Sequence, residues 1–383
     1  MFIQWFTPGY KSGGPSRSIQ NFVDLFAGDF DLRLVTSDRD LGDDKPYKGI
    51  EFDTWMESAN HTIIYLSPEK QTIKSYRSII SDTNPHIIYL NSLYAFRFSL
   101  LPLITAKLLH FSGRILLAPR GMLKASAVEF KKTKKKIFLL AAKIIGLFNK
   151  VEFLATDKQE FSDIQNTFHH PIIHLIDEPP FMADHLTFIK KVPDQLQAVL
   201  IGRVHPIKGI EYVLERLKGI PATVELNIIG WIEDTYYYKK CIEITKSLPD
   251  NITVRFLGNI PFPEVTEALE KSHILILPTK GENFGHAIFE SFSHGRPVII
   301  SDQTPWKNLT EKNVGWDIPL DQPAKFTNAI LTAASLDQDE YDKMSQDAYR
   351  FSREYYKASN IHEKYLTLFS IPVNAGNNSS QNV

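Results

Sequence analysis

Short apolar runs alternate with amphipathic helical patterns twice over in this 383-residue chain, and one polar, proline-containing stretch separates the two series. The pattern predicts an α/β fold with two Rossmann-like domains, because strands spaced by helices of this length pair as parallel sheets through βαβ crossovers. Length agrees. A single hydrophobic core rarely serves more than about 250–300 residues, so two cores are expected.

In the first half, the runs Phe2–Phe6, Leu32–Thr36, Thr62–Leu66, Ile87–Leu90, Ile115–Ala118, Val151–Ala155 and Ile172–Ile176 read as strands. Helical periodicity fills 15–27, 69–82, 94–111, 124–148 and 157–168 between them. In the second half, Ala198–Gly202, Val224–Gly230, Val254–Leu257, His273–Leu277 and Val298–Ser301 are strands, interleaved with helices near 208–218, 234–248, 262–271, 285–294 and 323–335. Phe188–Gln197, with Lys190, Lys191, Pro193 and Asp194, is the linker, which divides the chain into domains 1–188 and 189–349. A Tyr- and Phe-rich stretch at 338–369 reads as one or two helices, and the Asn/Ser/Gly-rich tail 374–383 as disordered.

Hydrophobic content of 43% and charged content of 23% are those of an ordinary soluble globular protein. One cysteine, Cys241, excludes an intrachain disulfide framework and a Cys-rich metal site, and fits a cytoplasmic location. No apolar run approaches the roughly 20 residues of a membrane span. Met1–Phe6 lacks the basic flank and long apolar core of a signal peptide and reads as a buried first strand. The net charge of −1 hides an asymmetry. Between Arg114 and Lys150 stand ten basic residues and one acid, Glu129, a local charge of +9, so the remainder carries −10. A basic patch on a near-neutral chain implies an anionic partner at that patch.

The chemistry concentrates at the carboxyl ends of predicted strands, where ligands bind in open parallel sheets. Glu282-Asn283-Phe284-Gly285-His286 follows an apolar strand and opens a helix that carries Glu290 two turns on. The segment reads either as an ordinary connection with surface acids or as a ligand loop. The clustering of Gly281, Gly285 and Gly295 favours the loop, since carboxylates can hold hydroxyls beside an anion at a helix N-terminus. Both glutamates aiming at one glycosidic bond, as in a glycosidase, is disfavoured by their placement, one in a turn and one inside the helix. Gly202-Arg203…Lys208-Gly209 follows another strand. Arg203 offers a planar fork for phosphate oxygens and Lys208 a compact charge, and the alternative is a solvated basic loop.

Gly13-Gly14-Pro15 follows the first strand and is either a plain turn or a loop that brings backbone amides onto a phosphate. Arg120, in Pro119-Arg120-Gly121, faces either a ligand phosphate or acid in a cleft, or a structural ion pair. In the stretch 124–148, Ile137, Phe138, Ala141, Ile144 and Ile145 recur at helical spacing, with Lys131, Lys132, Lys135 and Lys136 on much of the remaining surface. This is a helix packed on the core with a basic solvated face, or a patch for an anionic membrane. Nucleic-acid binding lacks the stacking aromatics that would accompany such lysines, so no nucleic-acid partner is expected. The twelve histidines make no metal-ligand spacing with carboxylates or Cys241.

Together, Gly202-Arg203…Lys208-Gly209, Glu282-Asn283-Phe284-Gly285…Glu290 and Gly295-Arg296-Pro297 resemble the retaining GT-B glycosyltransferases of family 4, and Gly13-Gly14-Pro15 strengthens the likeness. The resemblance implies two Rossmann-like domains facing across a cleft, with a helix near 350–369 crossing back to the first. It implies that Arg203 and Lys208 neutralise a diphosphate, Glu290 binds ribose and Glu282 contacts the transferred sugar. Asn283, Phe284, Gly285 and His286 would line the sugar and phosphate site, and Gly13 and Gly14 would close on the phosphates. The implied activity is hexosyltransferase-like and retaining, from a nucleoside-diphosphate sugar to a glycan or lipid-linked acceptor, in surface polysaccharide biosynthesis. No cofactor and no metal are expected, because the two cations can neutralise the diphosphate. A nucleotide-sugar epimerase or a non-catalytic sugar-nucleotide-binding protein would share the binding residues. The chain departs from the family at Pro119-Arg120-Gly121, where many members place a histidine, and at Ile176-Asp177-Glu178-Pro179-Pro180.

Overall fold

A computed structural model describes residues 1–123 and 132–370, with the side chains of 132–136 excepted. The tail 374–383, Lys131 and the side chains of Lys132, Lys135 and Lys136 therefore lie outside the described residues. Thirteen strands are described: β1 Arg33–Ser37, β2 Trp55–Glu57, β3 Thr62–Leu66, β4 Ile87–Asn91, β5 Arg114–Ala118, β6 Val151–Ala155, β7 Ile172–Leu175, β8 Gln195–Ile201, β9 Thr223–Ile229, β10 Ile252–Gly258, β11 Ile274–Leu277, β12 Val298–Ser301 and β13 Gly315–Ile318.

The first lobe is built on β1–β7. Phe2 bridges β1 through Val35 and β4 through Leu90, both in parallel, and so joins β2-β3-β1 to β4-β5-β6-β7. The expected strand Phe2–Phe6 shrinks to this one bridge, because the chain leaves the sheet at Trp5 to enter the glycine loop. All pairings are parallel except β2 with β3. The short strand β2 is half-exposed and carries no apolar run, and β13 likewise escapes the sequence pattern.

The second sheet is wholly parallel, in the order β10-β9-β8-β11-β12-β13. Its central strands β11 and β12 are buried along their whole length, as continuous Ile/Leu/Val runs predict for a sheet covered on both faces. Reading outward from β8, the strand order reverses between β8 and β11. That is the switch point where a crevice opens at the carboxyl ends of a doubly wound sheet.

Two stretches of chain tie the lobes. Pro179 O accepts from Asn21 Nδ2 of the first lobe (3.0 Å), and Ala183 N donates to Ser293 Oγ of the second (2.6 Å). Farther on, the helix Gln338–Ser359 starts at a capping box of Asp337 and Glu340 and packs Phe351 and Tyr355 against Phe292 and Trp306. Asn360, in the left-handed region (φ 51°), turns the chain. The helix Ile361–Phe369 then buries Ile361, Tyr365 and Leu368 in the first lobe, with the Tyr365 ring 5.4 Å from that of Phe22. The final helix thus crosses back over the cleft.

The helix Lys132–Ile144 and the residue after it divide the expected apolar stripe between core and surface. Its buried contacts come from Ala142, with Phe138 and Leu139 partly covered, whereas Ile137, Leu140, Ile144 and Ile145 are 61–77% exposed. Of the expected stripe, Phe138 packs on the core while Ile137, Ala141, Ile144 and Ile145 face outward.

Candidate active site

The two motif loops of the second lobe meet at the switch point. The loop after β8 carries Arg203 and Lys208, and the loop after β11 carries Glu282. One backbone and one side-chain bond lace them together: Lys280 N donates to Ile207 O (2.7 Å) and Thr279 Oγ1 to the same oxygen (3.2 Å). Gly209 makes this approach possible. It holds φ at +68°, and a Cβ there would stand 2.2 Å from Pro278 O. Lys208 Nζ consequently forms an ion pair with Glu282, each side chain about one-seventh exposed. Arg203 is half-exposed and pairs with Glu233 at 2.5 Å.

The helix His286–Ser293 begins directly at this crevice. Gly285 is its N-cap in the left-handed region and offers no side-chain cap, so the first amides lack helical acceptors and favour an anion. The preceding turn is pinned where Trp306 Nε1 donates to Phe284 O at 2.7 Å.

The first lobe brings its own strand ends opposite. Tyr10 N and Lys11 N both donate to Asp40 Oδ2 (2.8 and 3.1 Å), which anchors the loop leading to Gly13. Gly13 caps the helix Gly14–Phe26, with Pro15 in its first turn. That helix carries Arg17 to the second lobe. Arg17 Nε donates to Glu290 Oε1 at 2.7 Å in a nearly buried pair. The Arg17 guanidinium lies 4.5 Å from the Phe181 ring centre and 5.0 Å from that of Phe262. Gly121 approaches so closely that a Cβ there would stand 2.9 Å from Asn283 Nδ2.

Arg120 lies buried in an ion pair with Glu178. Its side chain is 5% exposed. It donates to Ser18 Oγ (2.9 Å), Tyr89 Oη (3.1 Å) and Asn91 Oδ1 (2.9 Å) and sits 3.3 Å from Glu178 Oε1. Glu178 Oε2 in turn accepts from His286 Nε2 at 2.5 Å. Burial alone would push the Glu178 carboxyl up; Arg120, His286 and Ser18 outweigh it and hold the pKa down to about 2. Burial pushes Tyr89 up to about 12, so its hydroxyl stays protonated beside Arg120.

Among the predicted residues, Lys208, Glu282, Asn283, Phe284, Gly285 and His286 surround the switch-point crevice, with Gly13 and Gly14 across it and Arg203 at its exposed edge. Glu290 lies deeper, against Arg17. Sequence reading missed Arg17 and Glu178 as contributors. Arg17 stands two residues after Gly13-Gly14-Pro15 and Glu178 beside two prolines, but neither position reveals a partner in the other lobe. The conspicuous Arg296 is fully buried, and its Nη2 donates to Glu270 O (2.8 Å) and Thr187 O (2.9 Å), which makes it a structural tie.

Two parallel α/β sheets presenting their strand ends to one cleft, with a last helix crossing back, form the GT-B glycosyltransferase architecture. Within it, residues 195–335 match the family described as glycosyl transferases group 1. An uncharacterized glycosyltransferase of Methanocaldococcus jannaschii is 27% identical over 104 residues, which span 27% of this chain and 28% of that relative's length. In fold, the chain is similar to the sucrose-phosphate synthase of Thermosynechococcus elongatus (TM-score 0.62, 18% identity, 93% and 94% of the two chains covered). It is likewise similar to Anabaena HepE solved with UDP and glucose (TM-score 0.65, 13% identity, 96% and 98% covered). A third is WaaG, a glycosyltransferase involved in lipopolysaccharide biosynthesis (TM-score 0.59, 11% identity, 96% and 98% covered).

Proposed function

We propose that this chain is a retaining glycosyltransferase of family 4 that moves a hexose from a nucleoside-diphosphate sugar to a hydroxyl of a glycan or lipid-linked acceptor. One observation carries the reading. At the switch point, the cation Lys208, the carboxylate Glu282 and the uncapped start of the helix His286–Ser293 converge, facing the glycine loop of the other lobe. Cation and amides suit a diphosphate, and carboxylates suit sugar hydroxyls. The UDP and glucose held by HepE, of the same fold, support that ligand class.

In the proposed reaction the bond from sugar C1 to the diphosphate oxygen breaks, and the acceptor hydroxyl oxygen bonds to C1 from the same face. The acceptor proton passes to the departing diphosphate. Charge builds on that diphosphate, and Arg203, Lys208 and the helix amides stabilise it, in a site that the closed lobes keep dry. In this reading Arg203 and Lys208 exchange Glu233 and Glu282 for phosphate oxygens, Glu282 turns to the sugar and Glu290 to the ribose. A divalent ion is then dispensable, so transfer persists in chelator.

The outward stripe Ile137, Leu140, Ile144 and Ile145, on the helix whose sequence carries Lys132, Lys135, Lys136 and Lys143, supports peripheral contact with an anionic cytoplasmic membrane face. No described helix is long and apolar enough to cross a membrane. Such contact would bring a lipid-linked precursor of a surface polysaccharide within reach of the first lobe.

A thermal-shift screen of UDP, GDP and ADP with their sugars tests the donor site, because a ligand bound only to the folded state raises Tm by mass action. One nucleoside diphosphate is expected to stabilise the protein. No shift with any of them at millimolar concentration overturns the reading.

A further inference from the structure

We infer that His286 receives a substrate hydroxyl on its Nδ1 and that Glu178 is the positioning residue that fixes the ring for this, an inference that rests on the transferase reading above. The Glu178 carboxylate, balanced by Arg120 at 3.3 Å, accepts at the 2.5 Å contact, so an imidazole bearing one proton carries it on Nε2. Nδ1 then carries a lone pair. That atom is buried and has no hydrogen-bond partner among the described residues. A buried polar atom without a partner is costly and commonly marks a functional position.

Its surroundings indicate the ligand. His286 opens the helix at the switch-point crevice, between Glu282 and Glu290 in sequence. Its ring lies tilted against Phe284, centroids 5.2 Å apart, and its Cδ2 would lie 4.0 Å from a Cβ at Gly14, in the loop of the opposing lobe. A neutral ring nitrogen in that position suits a hydroxyl, not a phosphate, whose oxygens are themselves acceptors.

The ring is held from both lobes. Glu178 is gripped by Arg120 of the first lobe, which is itself fixed by Ser18, Tyr89 and Asn91. The imidazole belongs to the second lobe. The tautomer and direction of Nδ1 are therefore set only when the lobes meet, which couples the group's readiness to cleft closure.

Two conservative variants separate this role from simple tethering. His286→Asn keeps a polar atom near the Nδ1 position and loses the reach to Glu178. His286→Gln reaches Glu178 and has nothing at Nδ1. With the best donor, His286→Gln is expected to lose kcat by about tenfold or more with donor KM and Tm nearly unchanged, and His286→Asn to retain more of it. Glu178→Gln, which keeps an acceptor but can swing its amide to donate, should lower kcat with little change in donor KM. Donor hydrolysis without acceptor distinguishes the source of the hydroxyl. If hydrolysis falls with transfer, Nδ1 binds the transferred sugar; if transfer alone falls, it binds the acceptor. His286→Gln turning over at the rate of an active wild type, or His286→Asn proving the poorer of the two, overturns this inference alone. A wild type without turnover on any donor overturns the transferase reading itself.

Discussion

Arg17 and Glu290 stand 273 positions apart in sequence and meet in a nearly buried ion pair, Nε to Oε1 at 2.7 Å, between the two lobes. The pair explains how a carboxylate inside an apolar helix is tolerated. Phe181 and Phe262 flank the guanidinium and exclude water, which strengthens the attraction and raises the cost of breaking it.

Removing Arg17 alone leaves Glu290 buried without its cation. Arg17→Ala should therefore lose about 3–5 kcal/mol in urea unfolding. Arg17→Met combined with Glu290→Gln should recover a large part of that loss, since no unpaired charge remains. Equal losses in the single and double variants would show that the pair is not coupled.

Acid stability should have two windows. His273 is buried, its Nδ1 accepting from Gln197 N and its Nε2 donating to Lys190 O. Burial, with Lys191 and Arg296 adding like charge, holds its pKa down to about 4 from 6.5. The unfolded chain thus binds this proton first. The contribution is complete above pH 6.5 and declines by about 1.4 kcal/mol per pH unit down to about pH 4. Glu178, depressed from 4.5 to about 2, adds a second loss between those values. Urea titrations across pH 7 to 4 should show the first slope in the wild type and a flatter one in His273→Asn. An unchanged slope in that variant contradicts the assignment.

Leu140 and Ile144 are 61% and 77% exposed, so Leu140→Asp and Ile144→Asp should leave Tm within a degree or two. Each should weaken co-sedimentation with anionic vesicles by roughly tenfold or more, since seating one such side chain in the interface contributes on the order of 1.5–3 kcal/mol. Undiminished vesicle binding by both variants would remove the membrane contact.

Much of the architecture is legible from the chain because buried parallel strands are unbroken apolar runs. Ile274–Leu277 and Val298–Ser301 stand out for that reason, while the short edge strands Trp55–Glu57 and Gly315–Ile318 have no such run. The loops with Lys208 and Glu282 were legible as separate motifs, and the switch point explains why they touch. Pairings between lobes were not. Nothing local to Arg17 or Glu178 names a partner more than a hundred residues away in the other lobe. Helical spacing likewise marks the apolar stripe of Ile137 to Ile145 without saying whether protein or something else covers it.

The most direct measurement is the steady-state transfer rate of Lys208→Ala and Arg203→Ala with the donor that stabilises the wild type most. Each cation lost from the departing diphosphate removes roughly 1.5–3 kcal/mol, so each variant should be slower by about one to two decades while keeping its Tm within a few degrees. Wild-type rates in both variants would contradict the account, because the charge on the leaving diphosphate would then be stabilised elsewhere.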